Sequence, residues 1–177
     1  MRKRLPAIFI LFFFMLHAHA QIGVMKLVGP GTKDYSIGFG AFIKSSIPVS
    51  DAANVTVEIG ADFFPSEGGW SSGEGTAMCP LKVGYRYTLN GTGEGFYVEP
   101  QAGYNVYGVT SLTDAQGKQV DLKYHGVVFA AGTGYLFSIW NLPFDLNLRY
   151  ETVMAHGGSN NFISLGISRF ISFGRRD

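Results

Sequence analysis

From residue 21 onward, apolar and polar positions alternate with a period of two, the repeat of a strand whose two faces meet different surroundings. No stretch past that point shows a convincing helical period. The clearest segments are 35–44, 54–63, 77–89, 96–107, 126–137, 144–154 and 162–173, and a weaker first strand is expected over 22–28. That makes eight, an even number. Most are near the roughly 9–11 residues that a tilted strand needs to cross a bilayer.

The connections differ in kind. Residues 64–76, with Gly68-Gly69 and Ser71-Ser72-Gly73, form a long loop, and 108–121 a second. Residues 90–94 (Asn-Gly-Thr-Gly-Glu) form a tight hairpin turn, where glycine supplies the positive φ required. Residues 138–143 are short and 45–53 intermediate, and 29–34 and 155–160 are short connections on the long-loop side. Long loops at one end and short turns at the other are what a membrane barrel shows.

The contents of the two faces decide between a membrane barrel and a soluble sheet. The third segment sets Val55, Val57, Ile59, Ala61 and Phe63 against Asn54, Thr56, Glu58 and Asp62. The fourth sets Leu81, Val83, Tyr85 and Tyr87 against Lys82, Gly84, Arg86 and Thr88. The fifth opposes Phe96, Val98, Ala102 and Tyr104 to Glu99, Gln101, Gly103 and Asn105. The seventh opposes Phe144, Leu146, Leu148 and Tyr150 to Asp145, Asn147, Arg149 and Glu151. Glycines 38, 40, 60, 84, 103, 132, 134 and 166 all share the polar parity. A solvated face would favour threonine, lysine or glutamate there. A narrow barrel interior needs small residues between its polar ones, so the polar face is assigned to the lumen and the apolar face to lipid. Aromatics at the strand ends agree. Tyr85, Tyr87, Phe96, Tyr135, Phe137, Trp140, Phe144, Phe170 and Phe173 predict an interfacial girdle at the short-turn end, and Tyr35, Phe63, Phe64, Tyr104, Tyr107 and Tyr150 the opposite one.

Composition adds the route of export. Arg2, Lys3 and Arg4 precede an apolar run over 5–16 and then Ala18-His19-Ala20, the pattern of a signal peptide. Residues 1–20 are expected to be removed, leaving 21–177 as one barrel domain. Charged residues are 15% of the chain, against about 25% in soluble domains. The three basic residues of the leader, taken from 14, leave 11 against 13 acidic, so the remainder is near −2. No basic patch points to nucleic acid. Cys79 is the only cysteine and reads as a small hydrophobe on the apolar face.

Glu58, Asp62, Lys82, Arg86, Glu99, Asp145, Arg149 and Glu151 form the one informative constellation. Facing inward, they must pair, because an unpaired buried charge is costly. A salt-bridged plug is the expected role, and a gated pore or proton path the competing one. His125 and His156 have Ser159 and Glu151 nearby in sequence, but this spacing in a glycine-rich loop places no triad. Two histidines alone make no metal site. No catalytic residue, cofactor or metal is expected.

With this leader, strand count and loop asymmetry, residues 21–177 resemble the small outer-membrane β-barrel proteins of Gram-negative bacteria, the class of the OmpA transmembrane domain and OmpX. The last segment resembles the assembly signal of that family through Gly166, Ile171 and Phe173. Arg169 departs from it on the lipid face, by snorkelling or by a bulge that shifts the register, and residues 174–177 run past the usual aromatic end. The resemblance implies an all-β, eight-stranded, antiparallel up-and-down transmembrane barrel, located in the outer membrane. The partners it implies are outer-membrane lipid, the chaperone and barrel-assembly machinery of biogenesis, and surface ligands through loops 64–76 and 108–121. A structural or surface-interaction role is expected. The alternatives are a narrow channel or carrier for small or hydrophobic molecules, and a soluble lipocalin-like barrel that binds an apolar ligand.

Overall fold

The computed structural model describes residues 18–170 apart from 30, 31, 34, 69–73, 92, 93, 115, 141, 156 and 157. Eight strands follow in order: β1 (Ala18–Val28), β2 (Gly38–Pro48), β3 (Ala53–Pro65), β4 (Gly75–Thr88), β5 (Gly95–Thr113), β6 (Gln119–Ile139), β7 (Leu142–Ala155) and β8 (Gly158–Phe170). Each pairs antiparallel with the next, and β8 returns to β1, so the sheet closes and has no edge along its common height.

The faces fall as the alternation predicts. Ile59, Val83, Val98, Phe129, Leu148 and Leu165 point outward and are exposed, while Glu58, Lys82, Glu99, Arg149 and Ser164 point inward and are buried. Inward glycines let the strands and fillers meet. At Gly103 a Cβ would stand 2.0 Å from the Leu81 carbonyl oxygen and 2.7 Å from the Lys82 Cα, so only glycine allows β4 and β5 this approach.

Several boundaries differ from expectation. β1 begins at Ala18, across the expected cleavage point, with His19 opposite Lys44 and Phe170. The turn before β3 is tighter than expected, closed by a hydrogen bond from Val49 N to Ala53 O at 2.9 Å. The expected loop 108–121 is instead mostly strand. Leu112 pairs with Val120 and Thr110 with Leu122, residues of high strand preference. Only a short turn remains, where the Asp114 carboxylate accepts from Gln116 N and Lys118 N and Gly117 takes a positive φ of 77°. β7 meets β6 only as far as Gly126, whereas β4 follows β5 as far as Ser111, so beyond Gly126 the β5–β6 hairpin is flanked on its β4 side alone.

Arg169 lies outward at the short-turn end, opposite Phe144 and Ala20, in unbroken register. The bulge alternative is therefore excluded, and the Arg169 side chain is exposed on the outer face. Ile171, Phe173 and residues 174–177 lie outside the described residues.

Candidate functional site

The lumen gathers the charges. Lys44, Glu58 and Lys82 stand side by side on β2, β3 and β4, opposite charges on neighbouring strands. The Lys44 ammonium lies 3.1 Å from Glu58 Oε2 and 3.1 Å from Glu99 Oε1. Lys82 Nζ lies 3.0 Å from Glu58 Oε1 and also reaches Glu151. Arg149 crosses to Glu58 and donates to Gln101 Oε1 at 3.0 Å. Toward the short turns, Arg86 donates to Glu99 Oε2 at 2.8 Å and to Asp145 Oδ2 at 2.9 Å, while its guanidinium stacks 4.0 Å from the Tyr97 ring centre. Tyr97 donates to Asp145 Oδ1 at 2.6 Å, and Thr56 to Glu99 Oε1 at 2.7 Å.

All eight residues expected to face inward are buried there, and seven of them join this network. Asp62 is the exception: it is buried, with neither carboxylate oxygen hydrogen-bonded. Lys44 is the member that sequence reasoning missed, although it shares parity with Gly38 and Gly40. Among the described residues five lumen carboxylates (58, 62, 99, 145, 151) thus face four Lys and Arg cations (44, 82, 86, 149), and Asp62 is the surplus one.

The lumen is not charged throughout. At the long-loop end Met25, Leu27, Phe42, Phe64, Met78, Val128, Val153 and Phe162 form an apolar cluster, with Tyr35 and Tyr124 packed against it. Phe42 joins the two layers: Lys82 and Arg149 lie 5.3 Å and 5.1 Å from its ring centre. Two residues assigned to the outer girdle, Tyr35 and Phe64, therefore turn inward, because the mouth needs apolar filling. A signal existed in the apolar doublets Phe63-Phe64, Val127-Val128, Val153-Met154 and Phe162-Ile163, where one residue serves each face. Within the charged layer a void of about 10 Å³ adjoins Lys44, Tyr97, Gln101 and Arg149, room for about one water.

Outside, Phe96 meets Tyr135 edge-on at 4.7 Å, and Phe137 stacks on Tyr135 at 6.2 Å and on Phe144 at 5.9 Å, a girdle at the short-turn end. Glu151 is held in the lumen by Lys82, Ser159 pairs with Met154 on the rim, and His125 stands exposed outside against Tyr104. His156 lies outside the described residues.

This arrangement defines a closed up-and-down barrel with an apolar exterior and a packed, layered interior. The same fold occurs in the N-terminal barrel domain of Pseudomonas aeruginosa OprF (TM-score 0.66, 11% identity, 88% of this chain and 98% of that one). It also occurs in Ail, the attachment invasion locus protein of Yersinia pestis (0.62, 12%, 88% and 97%), and in neisserial surface protein A (0.57, 13%, 89% and 96%). No protein-family model matches the sequence, and no curated protein matches it.

Proposed function

We propose that the chain is an integral outer-membrane protein, exported through a signal peptide over residues 1–20, with a closed barrel that serves the envelope as a structural or surface-interaction element. The observation that carries this reading is the inversion of a soluble barrel: exposed Ile, Val, Leu and Phe cover the outside, while the lumen charges other than Asp62 pair within. In water such an exterior is a very large apolar patch, and in lipid it is the expected one. The short-turn end, with its aromatic girdle, faces the periplasm, and the β5–β6 hairpin faces outward from the cell.

The packed lumen weighs against a channel, and its ion pairs against a carrier of apolar molecules. Glu151, Ser159 and His125 occupy three separate environments and form no triad with one another, which supports a structural rather than a hydrolytic role. Fractionation of the envelope tests the reading. The protein should stay with carbonate-washed outer membranes and migrate differently when boiled. Recovery in the soluble periplasmic fraction would overturn it.

A further inference from the structure

We infer that the fork where β7 leaves β6 binds the phosphate of a phosphorylated glycolipid, of the lipid A class, in the outer leaflet; this rests on the outer-membrane reading above. At the fork lies a notch of about 500 Å³ whose lining includes Tyr104, Lys123, His125, Val127 and Met154. Gly126, between the outward His125 and Val127, lies at its floor. A Cβ there would stand 1.9 Å from the Met154 carbonyl oxygen, so β6 and β7 approach closely at the floor before they part.

The outward face of β6 changes character at this height. Ala131, Phe129 and Val127 are apolar and lipid-facing, and His125, Lys123 and Asp121 follow on the same parity. Four residues of strand cover roughly 13 Å, so a headgroup beside Lys123 has an apolar column directly beneath it for its acyl chains. The donor set suits a phosphate: an ammonium, an imidazole N–H and the Tyr104 hydroxyl, with the Tyr104 and His125 rings 6.1 Å apart. Lys123 makes no ion pair among the described residues, and the one nearby acid on this face, Asp121, is engaged by Ser111 Oγ at 2.7 Å. Lys26, the outward lysine of β1, differs in that its ammonium already donates to the Tyr35 carbonyl. It is the natural control.

The test uses the full barrel refolded into phosphatidylcholine vesicles that contain a few per cent of lipid A, either diphosphorylated or with its phosphates removed. Lipid retained per barrel is read by native mass spectrometry, and insertion separately by the boiling-dependent mobility shift. Wild type should retain the diphosphorylated form preferentially. The paired substitution Lys123→Gln with His125→Gln should reduce that preference by roughly tenfold, the loss expected for a charge-assisted hydrogen bond. Lys26→Gln should leave it unchanged, and all three proteins should show the mobility shift. An inserted wild type with no preference for phosphate overturns the site, as does a Lys26→Gln loss equal to that of the pair. A wild type that never inserts overturns the membrane reading instead.

Discussion

At the scale of single residues the barrel is governed by which way a side chain points and whether it finds a partner. Leu148 points out of the barrel, the face proposed to meet lipid, and Asn147 points into the lumen. Leu148→Arg should cost about 2–4 kcal/mol, as for an arginine at the lipid-facing midplane. Asn147→Arg should impair folding less, because Glu151 and Asp145 line the same interior. Folded fraction by mobility shift checks the order, and the reverse order would invert the faces. Glycines offer a finer contrast. A Cβ at Gly134 would sit 2.5 Å from Tyr97 and 2.6 Å from the Leu146 carbonyl oxygen, whereas at Gly132 its nearest neighbour lies at 3.4 Å. Gly134→Ala should cost about 1–3 kcal/mol in urea unfolding from lipid vesicles, and Gly132→Ala should be nearly neutral. The carboxylates separate in the same way. Glu58 holds Lys44, Lys82 and Arg149, so Glu58→Gln should destabilise by about 3–5 kcal/mol, the cost of stranding buried charges. Asp62→Asn strands no cation and should be neutral or stabilising in that same measurement.

At the scale of elements the tip of the β5–β6 hairpin runs past its neighbours. Beyond Gly126 it has no partner in β7, β4 follows β5 only to Ser111, with Glu74 accepting from Thr113 N, and the outer pairs, Leu112 with Val120 and Thr113 with Gln119, lie within the hairpin itself. Replacement of residues 111–121 by a two-residue Asn-Gly turn should therefore leave the boiling-dependent mobility shift intact. A barrel that no longer folds would mean that the hairpin nucleates closure. Sidedness is tested at this scale too. Tags inserted at 114–118 should be labelled on intact cells and tags at 90–94 should not; labelling of the second alone would reverse the orientation.

At the scale of the whole molecule, two layers close the lumen by different physics. The charged layer fills space with ion pairs whose desolvation is offset only by near-complete partnering. The apolar layer at the long-loop end excludes water without requiring any partner. Phe42, Phe64 and Phe162 are buried within the apolar layer. The protein reconstituted in planar bilayers should show no steady conductance above the lipid background. A stable open level would favour the channel alternative.

The strand number, the outward and inward faces, and seven of the eight members of the central charge network were legible in the residues alone. A period of two and the parity of glycines are local, and local order decides which face a residue joins. Asp62 was placed in the lumen correctly but given partners it lacks, since pairing depends on the lateral register of strands such as β3 and β7, which lie apart in sequence. The inward turn of Phe64 and Tyr35 was hidden for a related reason. At the strand ends both parities are apolar, and only closure of the sheet determines which of two neighbouring aromatics fills the mouth. The extension of β5 and β6 past the rim was likewise a tertiary outcome, since Leu112 and Val120 become strand residues by pairing with each other. Sequence sets the two faces because each residue carries its own preference for lipid or for polar partners. The tertiary structure decides who those partners are, because closure of the ring brings into one narrow lumen side chains as far apart in the chain as Glu58 and Arg149.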